Sequence, residues 1–390
     1  MIGALLNSQI LSVFGLVITL TLGSYSYAQQ TSNKDSISQK SSQWNPEEHD
    51  VPAGDKILEL PEGSPIAAFS SGGAKEKALE NFIKEQKVAG LLVLQDGKIR
   101  MERYALGHSD TKLWSSLSVA KSVTSTLVGV AIKDGYINSV DDDVTDYLPE
   151  LKGSAFDSVK IRHLLTMTSG VKWNENYTDP DSDIAGFDNH TTLEGMKSIV
   201  SYMRSLPAEA EPGEKFNYST GETHLLGALI SAATDQSLSQ YLSSKIWIPY
   251  GMEQTASWGL DRTGQEMAGC CLQMRLRDFG RFGQFVLEDG LINGVSIVPD
   301  DWFKIATQIQ MPLWPGGGYG YGWWIFNDHS FEALGIHGQM IYIDPSRKLV
   351  IAVNSEWPEA DSNERHFAVA SFISSITSEI DKEQKVTPGR

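Results

Sequence analysis

The sequence predicts a mixed α/β protein of the α+β type, in which both ends of the chain build one antiparallel sheet flanked by helices. Strand-like segments occupy the first part and the last third of the chain, whereas residues 118–246 show mainly helical patterning. Of the 390 residues, 41% are hydrophobic, which is enough for a sizeable core and excludes disorder of the whole chain. We therefore expect a sheet lobe and a helical lobe, with any small-molecule site in the cleft between them.

The N-terminal segment has the pattern of a secretory signal. Residues 1–28 contain no Lys, Arg, Asp or Glu, and their apolar run at 11–23 is too short for a comfortable membrane span. Small residues at Ser26 and Ala28 fit a cleavage site. We expect a signal peptide over 1–28, with an uncleaved anchor as the alternative, and a periplasmic or secreted protein. The polar residues 29–58 are expected to form a flexible linker.

The remaining residues, 59–385, are expected to form a single domain whose sheet lobe comes from two separate parts of the chain, 75–117 and 255–382. A helix is predicted first, and a hairpin follows in which Asp96-Gly97 joins two strand-like runs, the strongest short hairpin signal. The predicted elements are a helix over 75–87, the hairpin over 90–104, strands over 321–326, 339–343 and 348–354, and a closing helix over 364–380. The glycine-rich run 316–322 misses the dinucleotide-binding spacing and is interpreted as a loop.

Composition and cysteine usage exclude several classes of function. With 32 basic and 49 acidic side chains the net charge is −17, which repels phosphate backbones and argues against nucleic acid as a partner. No metal-binding or phosphate-binding motif occurs, so we expect no cofactor. The adjacent Cys270 and Cys271 form no disulfide framework. We interpret them as two buried small residues, with a vicinal disulfide as the alternative.

The helical lobe, expected over 118–250, opens with the motif that carries chemistry. Ser-x-x-Lys occurs three times, at Ser109/Lys112, Ser118/Lys121 and Ser169/Lys172. Ser118 alone begins a long helical segment that is apolar on all sides and should be buried. A lysine one turn into such a helix is costly unless it is neutral or partnered. Because Ser118 and Lys121 share a helix face, a neutral lysine there could take the serine proton.

Six stretches carry a resemblance to a known family. In chain order they are 114–122, 140–151, 161–173, 216–219, 278–283 and 333–339. Together they resemble the serine β-lactamase and penicillin-binding protein superfamily, in its class C and esterase branch, and within it the 6-aminohexanoate-dimer (nylon oligomer) hydrolases. The resemblance implies a β-lactamase-like fold with the active site in the cleft. It also implies a serine hydrolase of small-molecule esters or amides, with Ser118 as nucleophile and Lys121 as base.

The resemblance assigns further residues to the site. Tyr218 and Thr220 occupy the family's Tyr-x-Asn positions, which implies a proton relay at Tyr218 and a substrate contact at Thr220. The family's Lys-Thr-Gly stands here as Ala333-Leu334-Gly335, and the missing lysine disfavours efficient β-lactam hydrolysis. Gly335 allows close backbone approach. The amide of Ile336, with that of Ser118, would hold the oxyanion.

Three more positions are candidates for substrate binding. His337 would share the face of Gly335 if the strand continues, and it is either a substrate contact or a packed histidine. Tyr177 lies where the resemblance places a tyrosine that closes over the substrate amide. Asp188 ends a run of acids, 179–188, that could attract a cationic amine or form a fortuitous metal site, although a solvated loop is the favoured interpretation.

Several functions remain open at this stage. The favoured one is an esterase or linear amidase. A β-lactamase or D-amino-acid peptidase would keep the fold and the acyl-enzyme, whereas a non-catalytic binding protein would keep only the fold. A Ser–His–Asp triad built on His108, His163 or His224 is a weaker enzymatic alternative. The sequence does not indicate an oligomeric state.

Overall fold

The computed structural model describes residues 47–386, apart from the side chains of Asp188 and Val386. The expected signal peptide and the linker up to residue 46 lie outside the described residues. The strands are β1 (Glu48–Val51), β2 (Val88–Gln95), β3 (Lys98–Tyr104), β4 (Trp114–Ser115), β5 (Ala256–Gly259), β6 (Leu272–Met274), β7 (Leu291–Ile292), β8 (Val295–Ser296), β9 (Met311–Trp314), β10 (Gly317–Tyr319), β11 (Trp324–Phe326), β12 (Phe331–Gly335), β13 (Gln339–Asp344) and β14 (Leu349–Ser355). The α-helices are α1 (Ala74–Glu85), α2 (Ala120–Lys133), α3 (Val144–Tyr147), α4 (Ile161–Leu165), α5 (Asp183–Gly186), α6 (Ser198–Arg204), α7 (Thr220–Thr234), α8 (Leu238–Leu242), α9 (Ile248–Tyr250), α10 (Leu276–Leu287), α11 (Trp302–Ala306) and α12 (Asn363–Val386).

The main sheet has eight antiparallel strands in the order β3-β2-β14-β13-β12-β11-β10-β9. This confirms the prediction of one antiparallel sheet that both ends of the chain build. The β2–β3 hairpin turns at Asp96 and Gly97, which both have positive φ, at 50° and 71°. That two-residue turn matches the right-handed twist of its strands. Helices α2 to α9 fall between the two strand-bearing parts of the chain, as the helical patterning predicts.

A second, four-stranded sheet, β1-β5-β6-β4, was not predicted. Its strand β1 lies inside the segment that we expected to be a flexible linker, and that expectation is wrong for these residues. Although β1 is mostly polar, two of its residues make contacts that hold the strand in place. Val51 is fully buried, and His49 Nδ1 lies 2.9 Å from Glu266 Oε1.

Part of the glycine-rich run, Gly317–Tyr319, forms the strand β10, so its interpretation as a loop was wrong for these residues. Strand β10 pairs with β9 on one side and β11 on the other. A Cβ on Gly317 would lie 2.1 Å from the Trp314 ring, and one on Gly318 would lie 2.1 Å from the Met311 carbonyl oxygen. Glycine is therefore needed for close approach, although such residues usually weaken a strand.

The main sheet buries both of its faces. On one face α1 and α12 cover the sheet, and the rings of Phe82 and Phe372 stack at 4.0 Å. On the other face α10 packs on β2, β13 and β14 and joins the core of the helical lobe. The strand β12 also contacts the turn that precedes α2, so that turn lies where the sheet meets the helical lobe. Within residues 47–386, no helix is long and apolar enough to cross a membrane.

Candidate active site

Ser118 lies in a short 3-10 turn, Leu117–Val119, that leads directly into α2. All residues of α2 from Ala120 to Ala131 are buried, as the apolar pattern predicts. The helix therefore carries Lys121, one turn after Ser118, into the interior, where it is 2% exposed. Ser118 thus lies at the N-terminal end of a buried helix, and Lys121 lies in the first turn of that helix.

The Lys121 amine has three hydrogen-bond partners among the described residues. Nζ lies 2.9 Å from Ser118 Oγ, 2.9 Å from Thr220 Oγ1 and 2.9 Å from the carbonyl oxygen of Gly269. Burial lowers the pKa of Lys121 to about 8, and the negative charge of Glu175 opposes that fall. Burial disfavours the charged ammonium and so increases the fraction of neutral amine at a given pH. The neutral amine is the form that can accept the proton of the serine hydroxyl.

The other two Ser-x-x-Lys pairs do not bring their side chains together. Ser109 Oγ lies 3.0 Å from Thr111 Oγ1, and Lys112 Nζ donates to the Gly107 carbonyl. Ser169 Oγ donates to Glu222 at 2.6 Å, and Lys172 is exposed. Of the three pairs, that of Ser118 and Lys121 therefore has the geometry that proton transfer needs.

Tyr218 stands beside this pair. The Lys121 amine lies 5.0 Å from the centre of the Tyr218 ring, which stacks on Trp324 at 5.9 Å. Burial and the charge of Glu175 raise the pKa of Tyr218, while its hydrogen bond with Ser118 lowers it. The phenol is therefore protonated at neutral pH and contacts the Ser118 hydroxyl. It is placed to donate a proton at the same point where Ser118 would react.

Glu175 is a residue of the site that sequence reasoning missed. Its carboxylate accepts hydrogen bonds from the Trp173 indole, from the Thr220 hydroxyl, from the Thr220 amide at 2.9 Å and from the Tyr177 hydroxyl at 2.6 Å. Thr220 thus links Lys121 to Glu175. We predicted Thr220 as a substrate contact, yet its hydroxyl is occupied on both sides and the residue is buried.

The end of β12 packs against the turn that contains Ser118. A Cβ on Gly335 would lie 2.7 Å from the Ser116 carbonyl oxygen and 3.1 Å from the Ser118 amide nitrogen. The backbone of Gly335 can reach the turn because it has no side chain. Ile336 follows immediately and lines the same cavity as Ser118.

Strand β12 ends at Gly335, two residues before His337. His337 has φ +58° within a short turn, so it does not share the face of Gly335. Its Nδ1 lies 2.8 Å from the Trp357 carbonyl oxygen, and its amide donates to the Ala360 carbonyl. Those contacts are those of a packed histidine, the second of the two predicted alternatives.

The candidate Tyr177 lies at the cavity and is 40% exposed. In the acidic run, Asp179 accepts from the Asn174 side chain, and Asp183 accepts from the Asn174 amide and the Tyr202 hydroxyl. The side chain of Asp188 lies outside the described residues.

Three histidines were considered for a triad. His108, His163 and His224 make no hydrogen bond to a serine among the described residues. His224 Nδ1 accepts from the Gly269 amide at 2.8 Å, and burial lowers the pKa of His224 to about 3. His163 accepts from the Lys160 amide at 3.1 Å. These contacts hold backbone in place and leave no support for a triad.

The vicinal cysteines lie next to the lysine. Cys270 and Cys271 are joined by a disulfide, so the interpretation as two unbonded buried residues was wrong. Both are only partly buried, and the preceding Gly269 offers its carbonyl to Lys121. The bonded pair thus belongs to the loop that holds the Lys121 amine.

A cavity of about 300 Å³ opens over Ser118. It brings together Ser118, Tyr177, Tyr218, Gly335 and Ile336 from the predicted set, whereas Thr220 and His337 are not among its lining residues. The apolar part of its wall consists of Phe216, Trp314, Trp324, Phe326 and Leu334. In size and lining this is a small-molecule pocket, with a serine and two phenols among its polar residues.

Comparison with known proteins agrees with this architecture. The 6-aminohexanoate-dimer hydrolase of Paenarthrobacter ureafaciens is 25% identical over 334 residues, which cover 81% of this chain and 85% of that protein. A β-lactamase of Pseudomonas fluorescens is 28% identical over 192 residues, which cover 46% of this chain and 49% of that protein.

Solved structures give the same picture. A Bacillus anthracis protein with the provisional description 6-aminohexanoate-dimer hydrolase superposes with a TM-score of 0.76 at 26% identity, covering 86% of this chain and 92% of that one. A family VIII carboxylesterase shares the fold, with a TM-score of 0.61 at 17% identity over 82% of this chain and 100% of that one. The β-lactamase family model matches residues 76–372, from α1 to the middle of α12. Since the match covers both lobes and the cleft between them, the chain belongs to the β-lactamase family of serine hydrolases.

Proposed function

We propose that this enzyme cleaves an ester or a linear amide through an acyl-enzyme, with Ser118 as nucleophile, Lys121 as base and Tyr218 as proton relay. One observation carries the proposal. The Lys121 amine is buried, lies 2.9 Å from the Ser118 hydroxyl and has a lowered pKa of about 8. A serine is a weak nucleophile until an adjacent base removes its proton. Such a base must lie within hydrogen-bond distance of the hydroxyl and must have a neutral form near working pH, and Lys121 meets both requirements.

The steps follow from the positions of these groups. Ser118 Oγ attacks the carbonyl carbon while Lys121 Nζ takes the hydroxyl proton. The developing oxyanion is stabilised by the backbone amides of Ser118 and Ile336. Tyr218 donates its proton to the leaving alcohol or amine as that bond breaks, and it recovers a proton from Lys121. Water then hydrolyses the acyl-enzyme, which restores the Ser118 hydroxyl.

The walls of the cavity favour esters and linear amides over β-lactams and peptides with a free carboxyl end. Those alternative substrates carry a carboxylate that needs a cationic partner. The position of the family's lysine is occupied here by Ala333. The preceding residue, Glu332, places a carboxyl group in the cavity wall instead, and like charges at a buried site are destabilising. The name of the Paenarthrobacter relative, 6-aminohexanoate-dimer hydrolase, supports the same choice.

Ser118→Ala tests the proposal directly. The wild-type protein is mixed with p-nitrophenyl acetate and, separately, with a penicillin, and turnover and intact mass are recorded. We expect turnover or an acyl mass increase with the ester, and a loss of at least ~10³-fold in the variant. Ser109→Ala, from a Ser-x-x-Lys pair whose side chains do not meet, serves as the matched control and should behave as wild type.

The other outcomes select among the alternatives. Preferred acylation by penicillin would favour the β-lactamase or peptidase function. If neither reagent reacted, a non-catalytic binding protein would be favoured. Equal activity of wild type and Ser118→Ala would exclude Ser118 as the nucleophile.

A further inference from the structure

The disulfide beside the active site has no part in the steps of the proposed reaction. Cys270 and Cys271 are the only cysteines of the chain, and they are bonded to each other and partly exposed. The bond closes a small ring that includes the peptide bond between them, so neither residue can turn independently. Cys271 has φ +67°, a conformation that residues with a side chain rarely adopt. The ring therefore helps to keep an unfavourable backbone conformation in place.

The backbone on either side of this disulfide holds both members of the proposed catalytic pair. On the N-terminal side, the carbonyl oxygen of Gly269 accepts a hydrogen bond from Lys121 Nζ at 2.9 Å. On the C-terminal side, the carbonyl oxygen of Leu272 accepts a hydrogen bond at 2.8 Å from the amide of Ser116, two residues before Ser118. A change in the disulfide ring would thus shift both acceptors.

The contact with Gly269 helps to decide where the lone pair of the neutral Lys121 amine points. A neutral amine has two N–H donors and one lone pair. The Gly269 carbonyl can only accept, so it takes one N–H. The Thr220 hydroxyl donates its own proton to the Glu175 carboxylate, so it takes the other N–H. The lone pair is left for the third partner, the hydroxyl of Ser118.

We propose that the Cys270–Cys271 disulfide is a redox switch that positions the base for the nucleophile, so that the oxidised enzyme is active and reduction weakens it. The inference rests on the proposed function, because it concerns the same catalytic pair. In the reduced state Cys271 is free to leave its positive φ, and the carbonyls of Gly269 and Leu272 lose their fixed positions. The lone pair is then no longer held towards the hydroxyl, and a small misplacement of a reacting group lowers a rate strongly.

The switching step is a thiol–disulfide exchange with a dithiol. A thiolate of the dithiol attacks one cysteine sulfur and breaks the Cys270–Cys271 bond, which gives a mixed disulfide. The second thiol of the reductant then displaces that cysteine. The enzyme gains two electrons and two protons, and the reductant leaves as a disulfide. Both cysteines are partly exposed, so that the reagent can reach them.

Reduction of the purified protein tests the switch, because the chain has no other cysteine that could respond. The protein is treated with dithiothreitol and desalted without oxygen, since free thiols cleave p-nitrophenyl acetate themselves. Alkylation of a sample with iodoacetamide, followed by intact mass, shows whether both cysteines are free. We expect kcat/KM for p-nitrophenyl acetate to fall at least ~10-fold on reduction and to recover after oxidised glutathione re-forms the bond.

The double variant Cys270→Ser/Cys271→Ser is the matched control, because it never contains the bond. It should have the rate of reduced wild type and should not respond to dithiothreitol.

The dependence of kcat/KM on pH separates positioning from a change in pKa. The other titratable groups that act on or face the Lys121 amine are Glu175, Tyr218 and His224, and they are present in both redox forms. The reduced enzyme should therefore have a lower plateau at high pH, above the Lys121 pKa of about 8. A loss that vanished at high pH would contradict the positioning role.

Hydrogen–deuterium exchange reports on the coupling without turnover. Reduction should accelerate exchange in residues 114–121, because the Ser116 amide loses its fixed acceptor, whereas residues 74–85 of α1 should not change. If this exchange accelerates but Ser118→Ala turns over the ester as wild type does, the proposed function fails, whereas control of the turn by the disulfide stands.

Other contacts of the loop set the result that would overturn the inference. The Trp258 indole donates to the Cys270 carbonyl at 3.0 Å, and the Gly259 amide donates to the Cys271 carbonyl at 3.0 Å. If these bonds hold the loop without the disulfide, fully reduced wild type keeps its kcat/KM. The inference is then overturned while the proposed function stands.

Discussion

At the scale of single residues, the chemistry depends on an amine that the fold holds away from water. Lowering the pKa of Lys121 from 10.5 to about 8 costs about 3 kcal/mol of folding free energy at neutral pH. The unfolded chain keeps that proton up to a higher pH than the folded chain does. Stability from this group therefore increases as pH rises from about 8 to about 10.5. In return, a neutral fraction of the amine that can act as a base is present near neutral pH and grows as the pH approaches 8.

Glu175 limits how far the pKa of the Lys121 amine falls. Its negative charge raises the pKa of Lys121 against the effect of burial. Glu175→Gln should therefore lower that pKa and shift the acidic limb of the kcat/KM–pH profile to lower pH, by ~0.5–1 unit. The profile is measured from pH 6 to 10 with a neutral ester. Asp181→Asn, an exposed acid in the same loop, is the matched control, and an unmoved or raised midpoint in Glu175→Gln would refute this role.

Local spacing explains which site residues could be predicted from the sequence. Ser118 and Lys121 are three residues apart on one buried helix, so the pattern itself indicates their contact. Glu175 was not predicted because its partner Thr220 is 45 residues away in the sequence, and no local pattern links the two residues. The one available signal is the alternation Trp173-x-Glu175-x-Tyr177, in which two of the glutamate's donors flank it in the same loop.

At the scale of elements, the strand β12 and the turn before α2 act as one unit. Their contact depends on Gly335, where any side chain would meet the Ser116 carbonyl and the Ser118 amide. The amides of Ser118 and Ile336, which we propose as oxyanion donors, belong to these two elements. A change in their separation would alter both donors together.

Gly335→Ala tests this unit. We expect kcat/KM to fall by ~10²-fold, because the methyl group pushes the strand from the turn and removes a donor from its position. The rate is measured with p-nitrophenyl acetate, and thermal unfolding is followed to show that the protein is folded. Gly73→Ala, at a glycine with φ −87° before α1, is the control and should retain wild-type activity. Wild-type activity in Gly335→Ala would contradict the proposed arrangement.

The elements that the sequence predicted correctly are those with strong local signals. The Asp96-Gly97 hairpin and the apolar α2 are fixed by their own residues. Strands β1 and β10 were missed because their composition argues against a strand, and only distant partners make them extended. The end of β12 also depends on distant residues, because His337 has a positive φ and is held by contacts with residues beyond β14.

At the scale of the whole molecule, the sheet separates two cores. The core between the sheet, α1 and α12 contains the Phe82–Phe372 stack, whereas Ser118 belongs to the other face. Because of this separation, the α1 side of the sheet contributes stability without touching the groups proposed for catalysis. The chemistry should then be insensitive to moderate damage on that side.

Phe82→Ala tests the separation. Removing this ring should lower the free energy of unfolding by ~3–5 kcal/mol, through lost burial and the cavity left behind. Urea denaturation measures the loss, and kcat/KM well below the transition should match wild type. Phe82→Leu, which keeps much of the packing, should lose less stability. A rate decrease in fully folded Phe82→Ala would show that the two faces are coupled.

The pairing of β2 with β14 also governs how the chain can fold. These neighbours at the heart of the sheet are about 260 residues apart, and Leu92 pairs with Ala352. Contacts of such long separation pay their loop-closure entropy before they gain any stability, so they form slowly. The β2 edge of the β2–β3 hairpin therefore stays unpaired until β14 is available to pair with it. The helical lobe, whose contacts are more local, can collapse earlier, so we expect the cleft between the two lobes to assemble late in folding.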